Sequence, residues 1–134
     1  MKKVAISGYF DPIHVGHLEY IELSKKLGDY LIVIINNNNQ CTIKKGKPFM
    51  DEKDRMKIVS SIKWVDEVYL SIDQDKTVCK SLEELKPDIF TNGGDRHNKE
   101  IPEAVVCRKY GIELLDGMGK KIRSSSDLTG LKSI

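Results

Sequence analysis

The chain has 134 residues, 40% of them hydrophobic and 31% charged, with a formal net charge of +2; this is the size and makeup of one soluble globular domain, with no room for a separate regulatory domain. Charges of both signs are interspersed, which argues against a polyanion-binding surface and against nucleic acid as a partner. Cys41, Cys79 and Cys107 are odd in number, widely spaced and free of any Cys-x-x-Cys, so they suggest neither a disulfide framework nor a zinc site and read as reduced thiols of a cytoplasmic protein.

Met1-Lys2-Lys3 runs directly into a first expected strand, Val4–Ser7, and no long apolar segment follows; neither a signal peptide nor a membrane span is expected. A helix is predicted over Val15–Leu27, with Leu18, Ile21 and Leu27 on its apolar face and Gly28 as its stop. Tyr30–Asn36 has the length of a buried strand. The stretch Asn36–Pro48 reads as a loop, its four asparagines marking a turn region. Then follow a helix over Asp51–Ser61, a strand at Glu67–Leu70, a helix over Val78–Leu85, a strand at Ile89–Asn92 and a loop over Gly93–Ile101. A helix over Pro102–Tyr110, with proline in its first turn, a strand at Glu113–Leu115 and a helix over Ser124–Leu131 complete the chain. Short apolar runs alternating with helical periods predict an α/β fold: a single-domain, Rossmann-like, doubly wound parallel sheet of five strands. In such sheets ligands bind beyond the carboxyl ends of the strands at the switch point of strand order, and Phe10–His17, Asn36–Lys47 and Asn92–Arg96 all leave such ends.

The first of these segments is the most informative. Gly8-Tyr9-Phe10-Asp11-Pro12-Ile13-His14-Val15-Gly16-His17 places two histidines three residues apart where a helix starts. Residues at that spacing share a face, first-turn N–H groups lack helical partners, and the macrodipole favours an anion there. The pattern reads as a nucleotide-phosphate site, with Gly16 allowing close approach to the backbone.

Gly-x-Phe-Asp-x-x-His-x-Gly-His resembles the signature of the cytidylyltransferase-like nucleotidyltransferases, which move a nucleoside monophosphate from a triphosphate onto a phosphorylated acceptor. Lys26–Val33, Arg55, Trp64-Val65-Asp66-Glu67-Val68 and Asn92-Gly93-Gly94-Asp95 are similar to further family segments in the same order. The resemblance implies ATP or CTP as donor, Mg²⁺ accompanying the triphosphate and a homodimer. It also implies catalytic roles for His14, His17, Lys44 and Arg55. Nucleotide binding falls to Gly8, Tyr9, Phe10, Asp11, Gly16, Asn92, Gly94 and Asp95, and to Arg123, Ser124, Ser125 and Ser126. A phosphomonoester acceptor, with a second pKa of about 6, is ionised at neutral pH and needs no general base, which suits a chain with no P-loop lysine and no Ser/His/Asp set.

Several of these residues admit a structural reading as well. Lys44 is the family-like choice among Lys44, Lys45 and Lys47, any of which fits a solvated basic loop. Arg55 suits a tetrahedral anion or a helix-surface salt bridge to Asp51 or Glu52. Asp11 stands either near the nucleotide's magnesium, with no protein cage around the metal, or as a helix cap. Ser124 would cap the last helix, and Arg123 either adds a phosphate ligand or marks a one-residue offset. Glycerol-3-phosphate cytidylyltransferases resemble the chain in length and Leu-Gly-Asp-Tyr-Leu. Heptose-1-phosphate adenylyltransferases resemble it in Pro48, Lys86-Pro87-Asp88 and the doubled glycine, so the lean is to ATP and a sugar phosphate. Nucleotide binding without turnover is the alternative of another class.

Overall fold

The run Tyr-Leu-Ile-Val-Ile-Ile is a strand because β-branched side chains suit a pleated surface and neither of its faces needs polar residues. In a computed structural model, which describes residues 1–93 and 102–118, it forms β2 (Tyr30–Ile35). The sheet has five strands in the order β3 (Glu67–Leu70), β2, β1 (Lys3–Gly8), β4 (Ile89–Gly93), β5 (Glu113–Met118). Every neighbouring pair is parallel. The helices are α1 (Val15–Lys25), α2 (Asn38–Lys45), α3 (Glu52–Ser60), α4 (Cys79–Leu85) and α5 (Pro102–Tyr110). The expected α/β, Rossmann-like, doubly wound five-stranded sheet is the fold observed.

Alternation along the strands builds two cores. Val4, Ile6, Leu31, Val33, Ile35 and Ile89 join Ile21 of α1 and Val59 of α3 on one face, while Ala5, Ile32, Ile34 and Phe90 join Leu82 of α4 and Val106 and Cys107 of α5 on the other. Most of these side chains are fully buried, each stabilising the fold by about 1.5–3 kcal/mol relative to exposure. With β1 paired to β2 on one side and β4 on the other, the switch point lies above β1, where the histidine segment leaves the sheet.

Three boundaries differ from expectation. The stretch Asn36–Pro48 is not a loop: it contains α2, opened by a capping box in which Asn37 Oδ1 accepts from the Gln40 N–H and Gln40 Oε1 accepts from the Asn37 N–H. Asn-x-x-Gln is a helix-start signature, and its local hydrogen bonds outweigh the turn preference of an asparagine run. Helix α1 stops at Lys25 with Lys26 as its C-cap, so Gly28 is not the stop. A Cβ on Gly28 would lie 2.7 Å from the Lys2 carbonyl oxygen and 2.8 Å from Val4 Cγ2, so glycine serves the close approach of the α1–β2 joint to β1. Strand β5 runs on to Met118. The expected helix over Ser124–Leu131 and most of the Gly93–Ile101 loop lie outside the described residues.

Candidate functional site at the carboxyl edge of the sheet

Between β1 and α1 the chain turns on itself. Phe10 takes φ 51°, a left-handed conformation uncommon for a bulky residue, and its buried ring meets His17 edge-on at 4.9 Å between centroids. Gly8 is required beneath that ring, since a Cβ there would sit 2.9 Å from Phe10 Cε2. Gly8, expected among the nucleotide-binding residues, thus meets a packing demand. The Asp11–Pro12 peptide is cis.

His14 is the N-cap of α1 and His17 its third helical residue, and the two rings form a capping box. The Gly16 N–H donates to His14 Nδ1 at 3.0 Å, and the His14 N–H donates to His17 Nδ1 at 3.1 Å. The Gly16 amide is therefore engaged by His14 and not available as the backbone phosphate donor expected of it. The rings stack with centroids 3.9 Å apart. A ring nitrogen that accepts a hydrogen bond cannot hold the proton, so each neutral ring carries it on Nε2. Burial, helped by the neighbouring His14, lowers the His17 pKa to about 3, which keeps that imidazole uncharged. Two Nε2–H donors on one helix start are thereby set by the backbone itself.

A second polar cluster lies beside the first, built from α2, α3 and the connector between them. Arg55, 1% exposed, donates through Nε to the Met50 carbonyl, through Nη1 to the carbonyls of Tyr9 and Asn36, and through Nη2 to Asn38 Oδ1, all within 3.0 Å. Four of the five guanidinium donors are thus engaged. This corrects the salt-bridge expectation for Arg55, which pairs with neither Asp51 nor Glu52, because the ends of β1 and β2 converge on its guanidinium. Asn38 extends the web, accepting the Glu52 N–H and donating to Asp51 Oδ1; the Asn38 amide and the Lys53 N–H hold the Asp51 carboxyl below its usual range.

Asp11 is internal as well. Its carboxylate accepts the Phe49 and Met50 N–H groups, both at 2.7 Å, and pairs with Lys45 Nζ at 2.8 Å. Lys45 also donates to the Asp11 carbonyl. Asp11 does not cap α1, a role taken by His14. Of the three lysines, Lys45 braces this turn, Lys44 lies over the Tyr9 ring at 4.5 Å, and Lys47 is exposed. The structure therefore brings together His14, His17, Phe10, Asp11, Tyr9, Lys44 and Arg55, with the last serving as scaffold. Asn92 is the penultimate residue of β4, its backbone alone described. Gly94, Asp95, Arg123, Ser124, Ser125 and Ser126 lie outside the described residues. Sequence reasoning missed Asn37 and Asn38, of which only Asn37 carries a readable signal, the Asn-x-x-Gln box, and it set Lys45 behind Lys44.

Residues 5–126 match the cytidylyltransferase-like family. The chain belongs to that family. Similar to this cytidylyltransferase-like protein are an FAD synthase of Ferroglobus placidus, 42% identical over 84% of this chain and 72% of that one, and the bifunctional protein HldE of a Helicobacter pylori strain, 40% identical over 75% of this chain and 22% of that one. The crystal structure of a lipopolysaccharide core biosynthesis protein from Thermoplasma volcanium superposes with a TM-score of 0.76 at 30% identity, covering 90% of this chain and 99% of that one. The family membership makes the protein a nucleotidyltransferase. Among its described residues no helix is long and apolar enough to cross a membrane.

Proposed function

We propose that the chain transfers the adenylyl group of ATP to a phosphorylated small molecule, with FMN as the first acceptor and a sugar phosphate as the second. The observation that carries this reading is the His14–His17 box at the β1–β4 switch point, with both Nδ1 atoms occupied and both protons on Nε2. An acceptor phosphate oxygen attacks the α-phosphorus; the new O–P bond forms as the bond from the α-phosphorus to the bridging oxygen breaks, and pyrophosphate leaves. Neutral imidazole N–H groups donate to the phosphate oxygens on which charge accumulates, and being preorganised they need no rearrangement during the step. No general base is required, because the acceptor arrives ionised.

Mg²⁺ would enter with the triphosphate, as the family resemblance implies. The Asp11 carboxylate, already holding two amides and Lys45, does not suit a direct metal contact, and no step is routed through the ion. Similarity to an FAD synthase over most of both chains supports FMN. Similarity to HldE and to the lipopolysaccharide core biosynthesis protein supports a sugar phosphate, the acceptor class favoured by Lys86-Pro87-Asp88. The test is pyrophosphate release with Mg²⁺ and either ATP or CTP against FMN, sugar 1-phosphates and glycerol 3-phosphate. Release requiring ATP and FMN together is the expected result. Release with CTP and glycerol phosphate would replace the reading with the cytidylyl one, and nucleotide binding without release from any pair would leave a non-catalytic binder.

A further inference from the structure

Helix α1 carries more than the histidines on the face it turns toward β4. Tyr20 and Ser24 follow His17 by three and seven residues, the spacing that lines side chains along one helical stripe. The far end of that stripe is fastened to β4. The Tyr20 hydroxyl donates to the Thr91 carbonyl at 2.6 Å, and the Ser24 and Thr91 hydroxyl oxygens lie 3.1 Å apart. Thr91 Oγ1 also lies 3.4 Å from the Tyr20 hydroxyl. Ser24 and Thr91 are completely buried, so the bond between their hydroxyls forms out of reach of water, where an unmade one leaves a costly unsatisfied group, while the Tyr20 hydroxyl bond is half-buried at its edge.

The attachment point has a particular place in the fold. Thr91 pairs with Ile6 of β1, and the register of β4 against β5 shifts between Thr91 and Gly93. The histidines stand at one side of the switch point, above β1, and the end of β4 stands at the other. Apolar packing is non-directional and leaves rotation of a helix about its own axis weakly determined. A short hydrogen bond from the histidine stripe to the strand backbone defines that rotation.

We propose that Tyr20 is a positioning residue for nucleotidyl transfer, its hydroxyl fixing the rotation of α1 and hence the direction of the His14 and His17 Nε2–H bonds relative to the end of β4. This inference rests on the transferase reading above. Tyr20→Phe keeps the ring and removes only the hydroxyl, which donates to the Thr91 carbonyl and accepts from Thr91 Oγ1. Thr91→Val keeps the accepting carbonyl and removes only the hydroxyl that faces Ser24 and Tyr20.

The experiment compares the two variants by steady-state kinetics, by thermal unfolding, and by the imidazole signals of His14 and His17 in ¹H–¹⁵N NMR of the nucleotide-free protein. Tyr20→Phe is expected to lower kcat about tenfold, since small misplacements of catalytic groups cost this much or more. The acceptor KM should be unchanged, and both ring signals should move. Thr91→Val should retain wild-type kcat and ring signals. Wild-type kcat and unmoved rings in Tyr20→Phe would overturn the inference, as would equal losses of kcat in both variants that track their loss of Tm. If the wild-type protein releases no pyrophosphate with any nucleotide and acceptor, the transferase reading itself falls and takes the role of Tyr20 with it; unmoved rings in an active Tyr20→Phe protein sink the inference alone.

Discussion

Two polar clusters share the carboxyl edge of the sheet and are wired in opposite ways. In the histidine box each hydrogen bond spans two or three residues, joins a ring to its own helix start, and sets the Nε2 protons. In the Arg55–Asp11 web the bonds run mostly between segments distant in sequence, reaching from Arg55 to Tyr9 and Asn36 and from Asp11 to Phe49, Met50 and Lys45, and they engage nearly every charged atom available. Arg55, Lys45 and Asp11, conspicuous candidates for phosphate and metal chemistry, hold the edge together. The groups proposed to meet substrate are neutral imidazoles. At this edge, local self-satisfaction belongs to the groups proposed for function and long-range satisfaction to the scaffold.

That division can be broken or sharpened by substitution. Arg55→Ala should have the largest effect, a loss of stability of about 3–5 kcal/mol, as for other buried charged groups stripped from their partners. Arg55→Lys should recover little, because an ammonium cannot serve acceptors spread around a planar fork; urea denaturation measures both. His17→Ala and His14→Ala should lower kcat by about 10²–10³-fold, the loss typical of a preorganised donor, while costing only about 1 kcal/mol of stability as a lost helix cap. A stability loss as large as the rate loss would erase the contrast. Asn37→Ala removes the α2 cap and the amide bonds to the Ser71 and Asp73 carbonyls, and should cost about 1–2 kcal/mol with kcat little changed.

A separate effect is in pH dependence. His17 has its pKa lowered to about 3 from 6.5, so the unfolded chain binds the proton more readily. The stability it contributes is complete above pH 6.5 and is lost as pH falls from there toward 3. Denaturation midpoints of the wild type should fall across that window more steeply than those of His17→Asn. Equal slopes would show that His17 is not held neutral by its surroundings.

The sheet was legible because its signals are local: Leu31–Ile35 and Val4–Ile6 are apolar throughout, as strands covered on both faces tend to be. The histidine pair was legible for the same reason, since residues three apart on a helix start meet whatever the rest of the chain does. What the sequence concealed is long-range. Nothing near Arg55 announces that the ends of β1 and β2 deliver two carbonyls to it, and nothing near Asp11 announces the two amides and Lys45. Helix α2 was hidden differently. Its start signature was present in Asn37 and Gln40, but four consecutive asparagines suggested turn chemistry.

Those four asparagines have one more consequence. The Asn36 carbonyl accepts from Arg55, Asn37 caps α2, Asn38 links Arg55 to Glu52 and Asp51, and the exposed Asn39 side-chain amide donates to Gln74 Oε1. Identical letters thus carry four separate addresses. Deleting any one of them leaves the same three-letter tract, so the edit has no location in the sequence, yet in space it moves every following residue up by one position and misdelivers the cap and the bridge together. A tract that looks repetitive is here a register mark, and its length carries more information than its composition.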